Sequence, residues 1–370
     1  MKNVLIVFGG RSVEHDISIL TALHAYKHTP EGWCVRLVYL TRDNVFVTGR
    51  RLADLDFYIN GVRGAREVHF SHGAMFRRGK KICDVDAVLN CCHGGVGEGG
   101  ELAAFFRVHD IPTTGPNMVS AANLMCKTTT RRVLTAANGF PQPQFHSFSV
   151  ADYEKSPDSV VSAIESVLPY PVIVKPNALG SSIGISTATN RDELVRAVDL
   201  AATLDGRIIA EELIADPIEI NCAAYRDGTG VHLSKCMVIE KDAVYDFEQK
   251  YLAGGTATHK KGGAPTEAPE MSAIFDEIRR QLRDAYELFD VSGVVRADFL
   301  VKMGDDGPTV YLNEVNTVPG FLSYHLWLAA GVSYTSLIER VVTQAITESR
   351  ATKTTSFTSG VLAKNRSLVD

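Results

Sequence analysis

The feature that most restricts the fold of this chain is a pair of β-prone runs near its carboxyl end, VVRADFLV (294–301) and TVYLNEV (309–315), joined by the short turn KMGDDGP. Both runs are rich in Val, Leu, Phe and Tyr, and the short Gly-containing turn between them reads as a β-hairpin. Side chains two apart on a strand share a face. Arg296 and Asp298 therefore lie on one face of the first strand, and Glu314 and Asn316 on one face of the second. Asp298, Glu314 and Asn316 can then converge across the hairpin. Two carboxylates about 4 Å apart repel by roughly 4 kcal/mol at an effective dielectric of 20. A bound cation reverses that cost, and an all-oxygen donor set suits magnesium carrying phosphate ligands. The plainer alternative, solvated carboxylates paired with surface lysines, stays open on these residues alone.

The amino end has a different rhythm. VLIVF (4–8), CVRLVYL (34–40) and DAVLNCC (86–92) are buried-strand runs, and ISILTALHAY between the first two has helical spacing. Strand–helix alternation with glycines at strand ends implies a parallel sheet with a ligand crevice at the strands' carboxyl ends. A polar, Gly-rich stretch over 41–79 reads as short strands and loops. PTTGP (112–116) marks a domain boundary. Beyond it come a helical stretch through RRVLTAANGF, the buried strand PVIVKP, a polar helix over 190–204 and the strand RIIAEEL. IEINCAAY and VHLSKCMVI join the hairpin in one mostly antiparallel sheet, and SAIFDEIRRQLRDAYELFD reads as an amphipathic helix. The expected fold class is thus mixed, a Rossmann-like parallel α/β unit followed by α+β units.

Bulk properties exclude several function classes. A net charge of -5 gives no basic field for nucleic acid, and no apolar run is long enough to span a bilayer. MKNVLIVFGGRS superficially suggests a signal peptide, but it lacks a small-residue cleavage site and ends in Gly-Gly as a buried strand entering a turn would. A cytoplasmic protein is expected. The seven cysteines are scattered without zinc spacing, as reduced core thiols would be.

Lys175 ends the buried strand PVIVKP and is followed by NALGSSIG, where backbone N–H groups and the hydroxyls of Ser181 and Ser182 can turn toward phosphate oxygens. Such a loop alone is a weak signal, usually a turn. Lys127 lies upstream at the edge of a helix. EELIADPIEI offers backbone groups of Glu211, Glu212, Leu213 and Ile214 for an adenine, and the carboxylate of Glu219 for a ribose. Together with the metal set, these parts read as a nucleotide site.

In their order they resemble an ATP-grasp ligase, and the motifs GGRSVEHDIS, HGGVGEGGEL, KPNALGSSIG, FEQKYL, VVRADF and NEVNTVPG resemble the D-alanine–D-alanine ligase family over nearly the whole chain. The resemblance implies an N-terminal α/β domain (1–116), a central ATP-grasp subdomain (117–209), a C-terminal subdomain with the metal site (210–350) and a polar tail (351–370). It implies that Lys127, Lys175 and Lys250 contact ATP phosphates, that Glu219 meets the ribose, and that Asp298, Glu314 and Asn316 bind two magnesium ions, with manganese as a substitute. Glu14 would receive the ammonium of the first D-alanine and form a hydrogen-bonded set with Ser181 and Tyr251. His93 would sit near that substrate's carboxylate, and Arg296 with the Gly320 N–H would form the oxyanion site. The segment after Tyr251, LAGGTATHKKGGAP, would be the lid. The implied activity is joining two D-alanines for peptidoglycan precursors, with small-molecule partners and a homodimeric state.

The departures from the family pattern cluster around the second substrate. GFLSYHLWLAAG is short and lacks the usual proline, so that His325 and Leu326 stand where Ser-Leu is usual, with Ser323 as a substitute serine. HKKGGAP replaces an aromatic–aliphatic lid run, and Gly99 stands where aspartate is frequent. Tyr251 is the residue of dipeptide makers rather than of D-lactate users. The alternatives are the same chemistry with D-serine, D-lactate or another small amine as acceptor, or a nucleotide-binding homologue that no longer ligates.

Overall fold

A computed structural model describes residues 1–239 and 268–351. Lys250, Tyr251, the expected lid and the polar tail beyond 351 lie outside the described residues. Three sheets carry the architecture, with a small meander beside the first.

The N-terminal sheet has the order β4-β3-β2-β1-β8, built from β1 (Asn3–Gly9), β2 (Cys34–Leu40), β3 (Phe46–Thr48), β4 (Arg66–Glu67) and β8 (Ala87–Asn90). β1 runs parallel to both β2 and β8, as expected for buried runs linked by helices. Its core strand reads as continuous apolar residues because both faces are covered. β1 ends at Gly9, whose φ is +96° and where a Cβ would lie 2.3 Å from the Leu40 carbonyl oxygen, so only glycine lets the chain turn there. The meander β5 (His69–Ser71), β6 (Ala74–Arg77) and β7 (Lys80–Asp84) accounts for much of the polar stretch.

The central sheet, β11-β10-β12-β9, is antiparallel and comprises β9 (Phe145–Ser149), β10 (Val172–Pro176), β11 (Ser186–Ala188) and β12 (Arg207–Glu212). The expected boundary at 209–210 falls inside β12, and the chain passes to the next sheet only between Glu212 and Ile218. That sheet has β13 (Ile218–Asp227) paired with β14 (Gly230–Leu233), β15 (Met237–Ile239) and β16 (Val295–Gly304), and β16 with β17 (Gly307–Asn316), all antiparallel. The helix Ser272–Leu288 lays Ile274, Phe275, Ile278, Leu282 and Ala285 on it at three- and four-residue spacing.

The cores cross the sequence divisions. Leu124, Leu134 and Phe140 from the helices Met118–Met125 and Lys127–Ala136 and the turn after them pack in the core of the C-terminal sheet. Leu322, Leu326, Trp327 and the helix Tyr334–Ala351 pack with β1 and β8 in the N-terminal core. The chain after β17 therefore closes back on the first unit. All seven cysteines are free thiols, and no helix among the described residues is long and apolar enough to cross a membrane.

Candidate active site

The expected hairpin forms, β16 pairing with β17. Arg296 pairs with Asn316 and Asp298 with Glu314, after which the register shifts so that Phe299 faces Leu312 and Asn313 is the extra residue of a β-bulge. Bulges re-aim side chains beside functional sites. Asn221 and Glu219 on β13 stand opposite Asp298 and Leu300, so the exposed Glu219 shares the face of the metal set. Asp298 is held by Arg296 through two bonds of 2.7 and 2.8 Å and accepts a third from Asn316 Nδ2 at 3.2 Å. The expected oxyanion arginine and the expected metal aspartate are thus partners in this state. Two carboxylates and an amide supply only oxygen donors, which fits a hard divalent cation. Among the described residues there is no group of three His, Cys, Asp or Glu suited to a metal.

A second polar cluster lies under the Gly-Ser loop. Lys175 at the end of β10 gives its ammonium to Glu211 Oε2 at 2.5 Å, and Arg131 Nε donates to Glu211 Oε1 at 2.6 Å. All three are buried. Burial alone would raise the Glu211 carboxyl, but Arg131 and Lys175 outweigh it and hold it well below the carboxylate range. Arg131 also donates to Gln142, to the Leu312 carbonyl and to Asn313, so it ties β12 to the bulge of β17. Lys127, one helical turn before Arg131, donates to the Leu179 carbonyl at 2.6 Å. Burial lowers its pKa and Glu314 opposes that. Sequence reasoning missed Arg131. Its spacing of four from Lys127 was the available signal, since residues four apart share a helix face.

The loop itself carries Ser181 and Ser182 at φ +55° and +57°. Ser181 Oγ donates to Glu14 Oε1 at 2.5 Å across 167 residues of sequence. Glu14 precedes the helix His15–Lys27 and is 8% exposed. A Cβ at Gly94 (φ +64°) would sit 2.8 Å from Glu14 Oε2, so that glycine admits the carboxylate. Glu98, another residue missed in the sequence, lies 3.8 Å from His93 Nδ1. Burial raises its pKa, the nearby His93 side chain lowers it and the Glu14 charge raises it, for a net rise. His93 is buried with both nitrogens on protein partners, Nδ1 on the Val318 carbonyl at 2.5 Å and Nε2 on Thr21 Oγ1 at 2.8 Å.

Around the adenine stretch, Glu212 N–H bonds to Gln144 O and Leu213 N–H to Pro171 O, while Ile214 N–H has no backbone acceptor among the described residues. On the acceptor side, Leu326 is fully buried in the N-terminal core. Ser323 Oγ is buried with no partner among the described residues. His325 is half-buried, and Gly320 opens the turn Gly320–Ser323. Of the three residues expected to meet the acceptor, the structure leaves only His325 partly accessible.

Comparison with known proteins gives a consistent picture. Residues 3–116 match the family model described as D-ala D-ala ligase N-terminus, and residues 134–343 match D-ala D-ala ligase C-terminus. The chain is similar to the D-alanine–D-alanine ligase of Macrococcus caseolyticus, 31% identical over 93% of this chain and 95% of that protein. It is similar also to that of Staphylococcus epidermidis, 33% identical over 92% and 94%. Its fold matches the D-alanine–D-alanine ligase structure from Coxiella burnetii, with a TM-score of 0.78, 23% identity and coverage of 94% and 95%. It matches equally the VanG D-Ala:D-Ser ligase structure from Enterococcus faecalis, with a TM-score of 0.78, 23% identity and coverage of 93% and 99%. With an ATP-grasp fold and family matches over most of its length, the chain belongs to the D-alanine–D-alanine ligase family.

Proposed function

We propose that the protein joins two D-alanines at the expense of ATP, through an acyl phosphate, to make a peptidoglycan precursor in the cytoplasm. The observation that carries this reading is the Ser181–Glu14 bond, which places a buried carboxylate directly beneath the glycine loop. A carboxylate there can take the ammonium of a bound amino acid while the loop covers the nucleotide's phosphates.

In this reading Lys127 and Lys175 neutralise charge as the first D-alanine's carboxylate oxygen attacks the γ-phosphorus and ADP leaves. Lys250 from outside the described residues joins them. The second D-alanine's amine then attacks the acyl carbon, phosphate departs, and the amine proton leaves to solvent or a nearby base. Arg296 and the Gly320 N–H face the tetrahedral oxyanion. Asp298, Glu314 and Asn316 would hold magnesium, two ions in all with manganese as a substitute, and these would supply charge neutralisation at the transferring phosphate. Ser181, Ser182, the Glu211–Ile214 backbone and Glu219 would hold the rest of the nucleotide. Tyr251 would complete the set around Glu14.

A second reading changes the acceptor to D-serine or D-lactate. It is favoured by the short segment after Gly320, where Ser323 and Leu326 are enclosed and His325 is left to meet the acceptor. Phosphate release from ATP with D-alanine, L-alanine or neither, followed by mass spectrometry of products from a panel of D-amino and D-hydroxy acids, tests both. D-Alanyl-D-alanine as the main product is the expected result. No phosphate release with any D-amino acid overturns the ligase reading.

A further inference from the structure

Resting on the ligase reading, the geometry points to Thr21 as a positioning residue for the second half-reaction, one that holds the acceptor turn in its left-handed form through the Phe321 amide. Thr21 is fully buried within the helix His15–Lys27. Its hydroxyl accepts from Phe321 N–H at 3.1 Å and meets His93 Nε2 at 2.8 Å. The proton positions follow from the partners. The Val318 carbonyl can only accept, so His93 Nδ1 carries the hydrogen of that bond. Phe321 N–H fills one lone pair of Thr21 Oγ1, and the hydroxyl keeps a second lone pair and its own proton for the contact with His93 Nε2.

What the relay holds is strained. Phe321, Leu322 and Ser323 have φ of 51°, 53° and 53° in succession. Left-handed backbone costs L-residues roughly 1–2 kcal/mol each, so a run of such residues persists only where its surroundings over-determine it. Three ties do so at one spot. Thr21 holds the first amide of the run, the Pro319 carbonyl accepts from Leu322 N–H at 2.9 Å, and the Leu322 side chain is buried in the N-terminal core. Gly320, whose N–H is assigned to the oxyanion, precedes the run, and His325 follows it. Releasing the Phe321 amide would let the turn relax and shift both together, while the hydrogen bonds that join the lysine cluster and the Glu14–Ser181 pair do not run through Thr21.

The test compares Thr21→Val, which keeps the shape and removes the hydroxyl, with Thr21→Ser, which keeps the hydroxyl. Phosphate and dipeptide are quantified in the same reaction. In T21V, dipeptide formation is expected to fall about 10- to 100-fold, the factor set by leaving a buried amide or imidazole nitrogen unpaired. The ATP KM should stay within about twofold and the phosphate-to-dipeptide ratio should rise, because a displaced acceptor lets water take the acyl phosphate. T21S should return dipeptide formation to within about threefold of wild type. Should T21V not fold, T21A removes the same hydroxyl without added bulk and carries the same readout. An active wild type alongside a T21V that is equally coupled, or a T21S as impaired as T21V, overturns this proposal alone. A wild type with no D-alanine-dependent phosphate release overturns the ligase reading and this proposal with it.

Discussion

Replacing Glu211 with glutamine removes one charge from the most enclosed ionic cluster described here. Its carboxylate stands 2.6 Å from Arg131 Nε and 2.5 Å from Lys175 Nζ, with all three residues buried. Each pair gains about 6 kcal/mol of Coulomb energy at an effective dielectric of 20. Desolvating each ion takes back several kcal/mol, so most of the gross attraction offsets burial. Removing one partner leaves the cations buried without compensation, and such changes cost roughly 3–5 kcal/mol. At about 2–4 °C per kcal/mol, Tm should fall by roughly 6–20 °C. Scanning calorimetry without nucleotide measures this. ATP with magnesium should then recover more of the loss in E211Q than it adds to wild type, because the phosphates would meet cations that no longer have Glu211. A Tm within about 2 °C of wild type would show that Arg131 and Lys175 are solvated and that the cluster does not organise the phosphate site.

Four further outcomes follow from the same geometry. Glu314→Gln removes a carboxylate from the metal face at nearly constant volume, so turnover should fall at least about 100-fold with little change in Tm; full activity would place the metal elsewhere. His325→Ser should change the acceptor KM more than the ATP KM, and equal changes would remove His325 from the acceptor site. Glu98 is a carboxyl with a raised folded-state pKa, so its contribution is most favourable below the unfolded value and is lost as pH rises through the folded one. The Tm of Glu98→Gln should therefore gain on wild type as pH rises from about 4, and a constant difference across pH would contradict this. His24 is shifted down to about 4 by burial, His28 and Lys27. Its depressed pKa contributes stability above the unfolded value that is lost as pH falls from about 6.5 toward 4, and His24→Phe should flatten that acid limb.

Much of this was legible in the residues because local pattern and tertiary role coincide. The hairpin announced itself through two β-prone runs about a short Gly turn, and Asp298, Glu314 and Asn316 share a face across it. β1 and β8 read as buried runs because they are covered on both faces. Arg131 was missed because its meaning is set by Glu211 on another sheet, a partner 80 residues away. The division at 209–210 falls inside β12, whose sequence looks the same on both sides of it and whose pairing with β9 and β10 is set by distant residues. The acceptor segment was the least legible part. FLSYHLW gives no local sign of left-handed backbone, since that conformation is imposed by Thr21 and by burial of Leu322 in a core the segment joins from far along the chain.

The central claim is that Glu14, the glycine loop and the lysines serve amino-acid activation by ATP. The most direct test quantifies ADP, phosphate and D-alanyl-D-alanine together in wild type and in Glu14→Gln. Wild type is expected to give the three products in equal amounts, with all three strongly reduced in E14Q. A wild type that splits ATP equally well without D-alanine, or an E14Q that makes dipeptide at the wild-type rate, would contradict it.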